Sequence, residues 1–348
     1  MPLLQFGSNW LEFGKGLIEM DRIKHNAKVI SIREDNKLFS KGYWLKDKQD
    51  KYKVNDKKHA LLSHFALTRR FFRTEITSFY CLNDGDELAI AKKGFFLRKK
   101  GSKTFEKSYS MPRGSKPLNL CFAPSGNIYF GEYFQNMAKQ SVNIFCSEDN
   151  ARTWHVAYTF ATGEINHIHG LFFDKYTNRI WVVTGDRENE CIIGYTEDEF
   201  KTLVEVFRGG QEYRSCLLFF YPDFIVFATD SQYIQNKIKK FDRNTLEITE
   251  LQDIQGSAIK GGQVGNVSFL STTIEPSEVN RDKYAHLWVT KDGLHWEERY
   301  KAKKDCWPSI LQFGTFEFPN YETDKIDRLY FSGRAVKGLD GKTTYIDL

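Results

Sequence analysis

Ser147-Glu148-Asp149-Asn150-Ala151-Arg152-Thr153-Trp154 lies between two runs rich in apolar and β-branched residues, Val142 to Cys146 and His155 to Phe160. A hydroxyl at the first position and a carboxylate at the third are placed to bond the backbone of a tight turn, with the closing Trp packed beside it. The stretch predicts a strand, a turn locked by side chains and a second strand. It is a folding device and carries no chemistry of its own.

Outward from this turn the same grammar returns at a period of roughly 45 residues, the size of one four-stranded unit. Thr196-x-Asp198-x-Phe200-x-Thr202-Leu203 keeps the hydroxyl and the carboxylate, and Thr290-Lys291-Asp292-Gly293-Leu294-His295-Trp296 is a version one residue shorter. Arg98 to Phe105 is a worn version in which Lys100 takes the place of the aspartate, so that turn must be held differently. Units are expected over Thr74–Ser110, Leu118–Phe160, Asn166–Leu203, Arg214–Leu251, Ser257–Tyr300 and Ser309–Leu348. A weak first unit falls within residues 10–70, with strands at Lys28–Arg33 and Gly42–Lys46 and a helical insertion from Lys57 to Arg70. The last unit shows only three strands. A ring of sheets leaves pairing edges open unless the chain ends share one sheet, so Leu3–Phe6 is the expected donor of the fourth.

These turns resemble the Asp box of the sialidase-like (BNR) propellers, Ser-x-Asp-x-Gly-x-Thr-Trp, with Ala151 where the family has Gly. The resemblance covers Thr74 to Leu348. It implies an all-β, seven-bladed β-propeller of four-stranded blades, a single domain over 1–348 in which residues 1–8 complete the last blade. Six blades plus an N-terminal appendage is the alternative. Gly131-Glu132-Tyr133-Phe134, His167-Ile168-His169-Gly170, Val183-Thr184-Gly185-Asp186 and Ala228-Thr229-Asp230-Ser231 resemble segments of bacterial Asp-box proteins linked to polysaccharide genes. Sialidases use an arginine triad with one member in an Arg-Ile-Pro type motif. That motif does not occur in this sequence and only Arg214 is well placed, so sialidase activity is not expected.

Composition agrees with strands: 41% hydrophobic residues, with 29 Phe, 17 Tyr and 7 Trp among 348. The net charge of +5 is spread along the chain and reads as a solvated surface, against a nucleic-acid partner. The Lys-rich stretch Lys46–Lys58 also holds three aspartates and reads as an exposed hairpin. No apolar run reaches the roughly 20 residues of a membrane span. Met1 to Gly16 lacks the pattern of a secretion signal, which sets the expectation of a cytoplasmic protein. The cysteines are dispersed and read as reduced core residues, neither a disulfide framework nor a zinc site.

In such a ring the second-to-third strand loops and the starts of first strands open on one face, and the Asp boxes on the other. Carboxylates, imidazoles, a guanidinium and amides thus converge: Glu132, Asp186, Asp230, Gln235, Asn236, Glu275 and Lys260 as substrate-binding candidates, with His167, His169, Arg214, Tyr213 and Tyr133 as catalytic ones. A sugar needs such a funnel, since hydroxyls demand directional partners and rings stack on aromatics. His167 and His169, two apart on a strand, share a face and suit proton transfer or a metal, for which no third ligand is identified. The alternative is that they are hydrogen-bonded histidines packing between blades. Glu132 and Asp230 suit either a carboxylate pair or structural bonds to loop amides.

Propeller polysaccharide lyases are similar in architecture and use His, Tyr and Arg on the funnel face. The resemblance implies a carbohydrate-active propeller that binds, and by elimination cleaves, an acidic glycan: Arg214 neutralises a carboxylate, His167 or His169 takes a proton, and Tyr213 or Tyr133 protonates the leaving oxygen. The competing expectation is a non-catalytic glycan-binding or assembly protein in surface-polysaccharide production. No Gly-x-x-x-x-Gly-Lys motif or recognition-helix pattern supports a phosphate-loop enzyme or a DNA-binding protein.

Overall fold

Strands that are sandwiched between two neighbouring sheets read as continuous apolar runs, and strands at an outer edge read as polar. The unit that begins at Ser215 shows this gradient directly: Ser215–Phe220 and Phe224–Thr229 are almost wholly buried, Lys237–Asp242 is half so, and Ile248–Asp253 is open to solvent. The four pair antiparallel in chain order. The computed structural model describes residues 25–34 and 36–348, and the expected donor strand Leu3–Phe6 lies outside them.

The same up-and-down order builds three more four-stranded sheets. One runs Cys121–Phe122, Ile128–Gly131, Val142–Ser147 and His155–Phe160. The next runs His167–Asp174, Arg179–Gly185, Cys191–Thr196 and Val204–Gly209, and the third Ser257–Val264, Val267–Thr273, Tyr284–Thr290 and Glu297–Lys303. Thr315–Glu317, Arg328–Arg334 and Thr343–Asp347 make a three-stranded sheet. Near the N-terminus two four-stranded runs, Lys28–Val54 and Ser78–Ser110, merge through parallel pairing of Lys53 and Val54 with Thr104 and Phe105. Asn320–Tyr321 adds parallel to Lys28–Arg33 and makes the ninth strand of that sheet.

Apolar clusters join each run of strands to the next in chain order. Ile30 and Leu45 meet Phe79 and Phe96, and Phe95 meets Phe130. Ile144 meets Ile168 and Val182, Trp181 meets Phe227, Val226 meets Leu270, and Leu287 meets Phe316 and Phe331. The backbone then returns to its start. Glu322 N–H donates to Ile32 O at 2.9 Å, Val29 N–H to the Thr343 hydroxyl at 2.9 Å, and His25 bridges to Thr343. Sheets stacked face to face in chain order, the last reaching the first, give an all-β fold of the β-propeller type.

The quoted turn is locked as its chemistry demands. Asp149 Oδ1 accepts from the N–H groups of Arg152 (3.0 Å) and Thr153 (2.8 Å), its Oδ2 accepts from the Thr153 hydroxyl (2.6 Å), and the Ser147 hydroxyl accepts from Ala151 N–H (2.9 Å). Asp198 with Thr202, and Asp292 with His295, repeat the arrangement. Ala151 sits at φ +62°, the left-handed conformation for which glycine is the usual choice. In the worn turn, Lys100 N–H donates to Asp86 (3.0 Å), while the Arg98 guanidinium bonds Glu87 (2.6 Å) and Ser102 O (2.6 Å). A buried arginine and a neighbouring loop thus replace the missing carboxylate.

The insertion after the first four strands is two short helices, Lys57–Leu62 and Ala66–Phe72. Arg70 anchors it: its buried guanidinium pairs with Asp305 (2.5 Å) and Asp340 (2.7 Å), both in the last third of the chain. Among the described residues no helix is long and apolar enough to cross a membrane. Cys121, Cys146, Cys191 and Cys216 are buried free thiols, whereas Cys306 is exposed.

Candidate functional site

The site forms where strands begin or end on one rim. His167 and His169 open the strand His167–Asp174, and a register irregularity between Ile168 and Gly170 lets both rings gather at the rim. Asp186 follows Arg179–Gly185, the strand paired with them. Gly185 is required by close approach, since a Cβ there would lie 2.5 Å from His169 Cε1. Arg214 precedes the next innermost strand, and Asp230 N–H donates to its carbonyl at 2.9 Å.

The two imidazoles are held from behind. His167 Nδ1 lies 3.0 Å from Phe134 O and His169 Nδ1 2.9 Å from Ser215 O. A carbonyl only accepts, and Phe134 O lies nearer to His167 Nδ1 than the Asn166 amide nitrogen does at 3.3 Å, so each Nδ1 carries the proton and each Nε2 faces inward. The two Nε2 atoms are 3.1 Å apart. Asp186 closes the triangle, with Oδ1 at 3.1 Å from His169 and Oδ2 at 3.3 Å from His167. The rings are 6% and 2% exposed, which removes them from bulk water.

Arg214 donates to Asp186 Oδ1 at 2.9 Å and lies 3.6 Å from Asp230. The guanidinium expected to receive a substrate carboxylate is therefore engaged by two of the protein's own. Asp230 also accepts from Cys216 Sγ–H at 3.3 Å, while its buried Oδ1 has no hydrogen-bond partner. Tyr133 stands with its ring centroid 4.3 Å from that of His167, and burial pushes its hydroxyl above the usual pKa. Glu275 accepts from Gln232 at 2.6 Å; burial, then the Asp230 charge, push its pKa up to about 7.

Other sequence candidates have structural employment. Tyr213 stacks on Phe207 with centroids 5.3 Å apart. Asn236 is fully buried and ties Ser231 to Asn280, and Gln235 donates to Asn236 O and Ile254 O. Glu132 is claimed by Arg113 and by Asn143 N–H (2.9 Å), the loop-bonding alternative. Cys216 was read only as core, and the partnership of Arg113 with Glu132 has no local sequence signal.

Lys260 stands apart from the histidine cluster, on the wall of a channel of about 230 Å³ that His169 and Cys216 also line. Lys28 and Arg334 share Glu317 on this side. Arg69 pairs with Glu75 (3.2 Å) and Asp340 (3.0 Å). Burial first, then the positive charges around them, press the pKa values of Lys260 and Lys116 below the usual lysine range. Among the described residues neither ammonium has a hydrogen bond or ion pair.

No family model matches the chain, and no curated protein matches it. Solved structures do match in fold. A chain of the mitotic checkpoint complex is 8% identical, with 98% of this chain and 99% of that one covered and a TM-score of 0.56. The GH74 xyloglucanase from Xanthomonas campestris is 13% identical, with a TM-score of 0.52. The likeness covers 80% of this chain and 46% of the xyloglucanase, so this chain spans about half its length. The extracellular domain of BT4673 from B. thetaiotaomicron is 11% identical, with a TM-score of 0.51, and covers 92% of this chain and 40% of its own. At these identities the likeness is one of fold, and the class is β-propeller-like.

Proposed function

We propose that this chain is a seven-bladed propeller that binds a carbohydrate bearing a carboxylate at the mouth of its central channel. The blade count takes the nine-stranded sheet as two blades and the three-stranded sheet as one to be completed. The observation that carries the ligand class is the charge imbalance at the mouth. Lys28, Lys260 and Glu317 line the channel, Lys116, Arg334 and Arg69 stand within electrostatic reach of them with Glu75 and Asp340, and two of the ammoniums lack a partner among the described residues. Positive charge crowded on a half-buried wall without counter-charge is unfavourable, so an anionic group gains most there. Tyr80 and Phe172, half-buried in the channel wall, add ring faces of the kind on which a sugar stacks.

On this reading Lys260 takes the carboxylate role that the sequence assigned to Arg214. Binding is favoured over elimination, because the Nε2 atoms of His167 and His169 face each other and Asp186 inside the cluster, and Tyr213 is stacked elsewhere. Calorimetry with uronic-acid oligosaccharides and their neutral counterparts tests the proposal. Binding of the acidic set alone, weakened at least ~10-fold in Lys260→Gln, is expected. Equal affinity for both sets, or none for either, overturns it. Ultraviolet absorbance from an unsaturated product in the same mixtures would restore elimination.

A further inference from the structure

Three acceptor groups point at one another in the histidine cluster, and the protein supplies nothing to separate them. With Nδ1–H of each ring committed to a carbonyl, the two Nε2 lone pairs and the Asp186 carboxylate converge at 3.1, 3.1 and 3.3 Å. Lone pairs at that range repel unless a cation lies between them. We propose that His167, His169 and Asp186 bind a divalent first-row transition metal, of which zinc is the first choice.

Geometry supports this independently of charge. Ligand atoms about 2.0 Å from a tetrahedral ion stand about 3.3 Å apart, close to the observed edges. Two imidazoles and a carboxylate are a donor set for zinc or iron rather than for calcium or magnesium. The support behind the ligands is also that of a metal centre: backbone carbonyls fix both imidazoles, and Asn166 Nδ2 donates to Asp186 Oδ2 at 2.9 Å. With neutral rings, Asp186 and Asp230 outweigh Arg214 by one negative charge, so a dication is welcome. The buried Asp230 Oδ1 without a partner adds an acceptor beside His169, with which Asp230 and Cys216 form a second overlapping set of donors.

The competing occupant is a proton that makes one ring an imidazolium, and metal counting separates the two. The whole chain, stripped with a chelator, is titrated with Zn²⁺ alone by calorimetry, and the metal retained after dialysis is counted by mass spectrometry. One equivalent in the wild type is expected, with affinity at least ~10-fold weaker in His169→Ala and in Asp186→Asn. His155→Ala, in the more exposed set of Cys146, Glu148 and His155, should bind as the wild type does. Because a histidine variant can lose its fold, wild-type protein is also loaded with Co²⁺, whose visible bands report nitrogen and oxygen ligation without any substitution. A folded wild type that takes up neither ion overturns the proposal. So does binding that survives Asp186→Asn and is lost in His155→Ala.

Discussion

His167 Nε2 and His169 Nε2 face each other at 3.1 Å because Phe134 O and Ser215 O hold the opposite nitrogens of the two rings. Those carbonyls lie on separate elements, before and after the histidine strand. The pair is therefore aimed by the packing of neighbouring sheets and not by the strand alone.

Gly185→Ala tests that aim. The added methyl meets His169 at 2.5 Å in a buried setting, and the ring must move. A loss of about 1–3 kcal/mol in chemical unfolding is expected, with zinc uptake reduced in step. Unchanged stability and uptake would show that the ring has room to yield.

The locked turns give a second prediction. Asp149→Ala removes four acceptor bonds from one turn and should cost about 1–2 kcal/mol, the range for removing a capping side chain. Arg98→Ala should cost more, about 3 kcal/mol, because it leaves Glu87 without its partner in a partly buried place. Urea midpoints of the two variants give the order.

Glu275 ties stability to pH. Its folded pKa is about 7, above the 4.5 of an ordinary Glu. A raised pKa means that the folded state holds the proton more tightly, so the contribution is complete below pH 4.5 and is lost as pH rises through 7. Wild-type stability should fall by about 2–3 kcal/mol across that window relative to Glu275→Gln. Parallel pH profiles of the two proteins would contradict it.

Arg70→Ala should free the helical insertion, since one guanidinium holds both Asp305 and Asp340. The breaking of such a buried pair costs about 3–5 kcal/mol. Faster amide exchange in residues 57–72 is the expected readout.

The repeat was legible because each locked turn is local: hydroxyl, carboxylate and backbone sit within a few residues, so spacing alone finds them. Lys57–Arg70 was legible as helical by contrast with its surroundings, although it divides at Ser63 into two helices. The convergence of His167, His169, Asp186, Arg214 and Asp230 also followed from the order of strand ends. Their partners did not. Arg214 looks like a receptor for substrate until Asp186 and Asp230 are seen on either side of it. Asp186 was named as a substrate contact, and only the 3.1 and 3.3 Å approaches mark it as the missing third ligand. Lys116 escaped notice because a lysine's neighbours in space leave no mark on its neighbours in sequence.

The bond from Val29 N–H to the Thr343 hydroxyl spans 314 positions. At roughly 5–20 residues per second, a ribosome needs about 15 to 60 s to make the partner that Val29 awaits. During that interval the earliest strands have an open flank, and whatever shields it, whether speed of compaction or a chaperone, governs the yield of intact molecules.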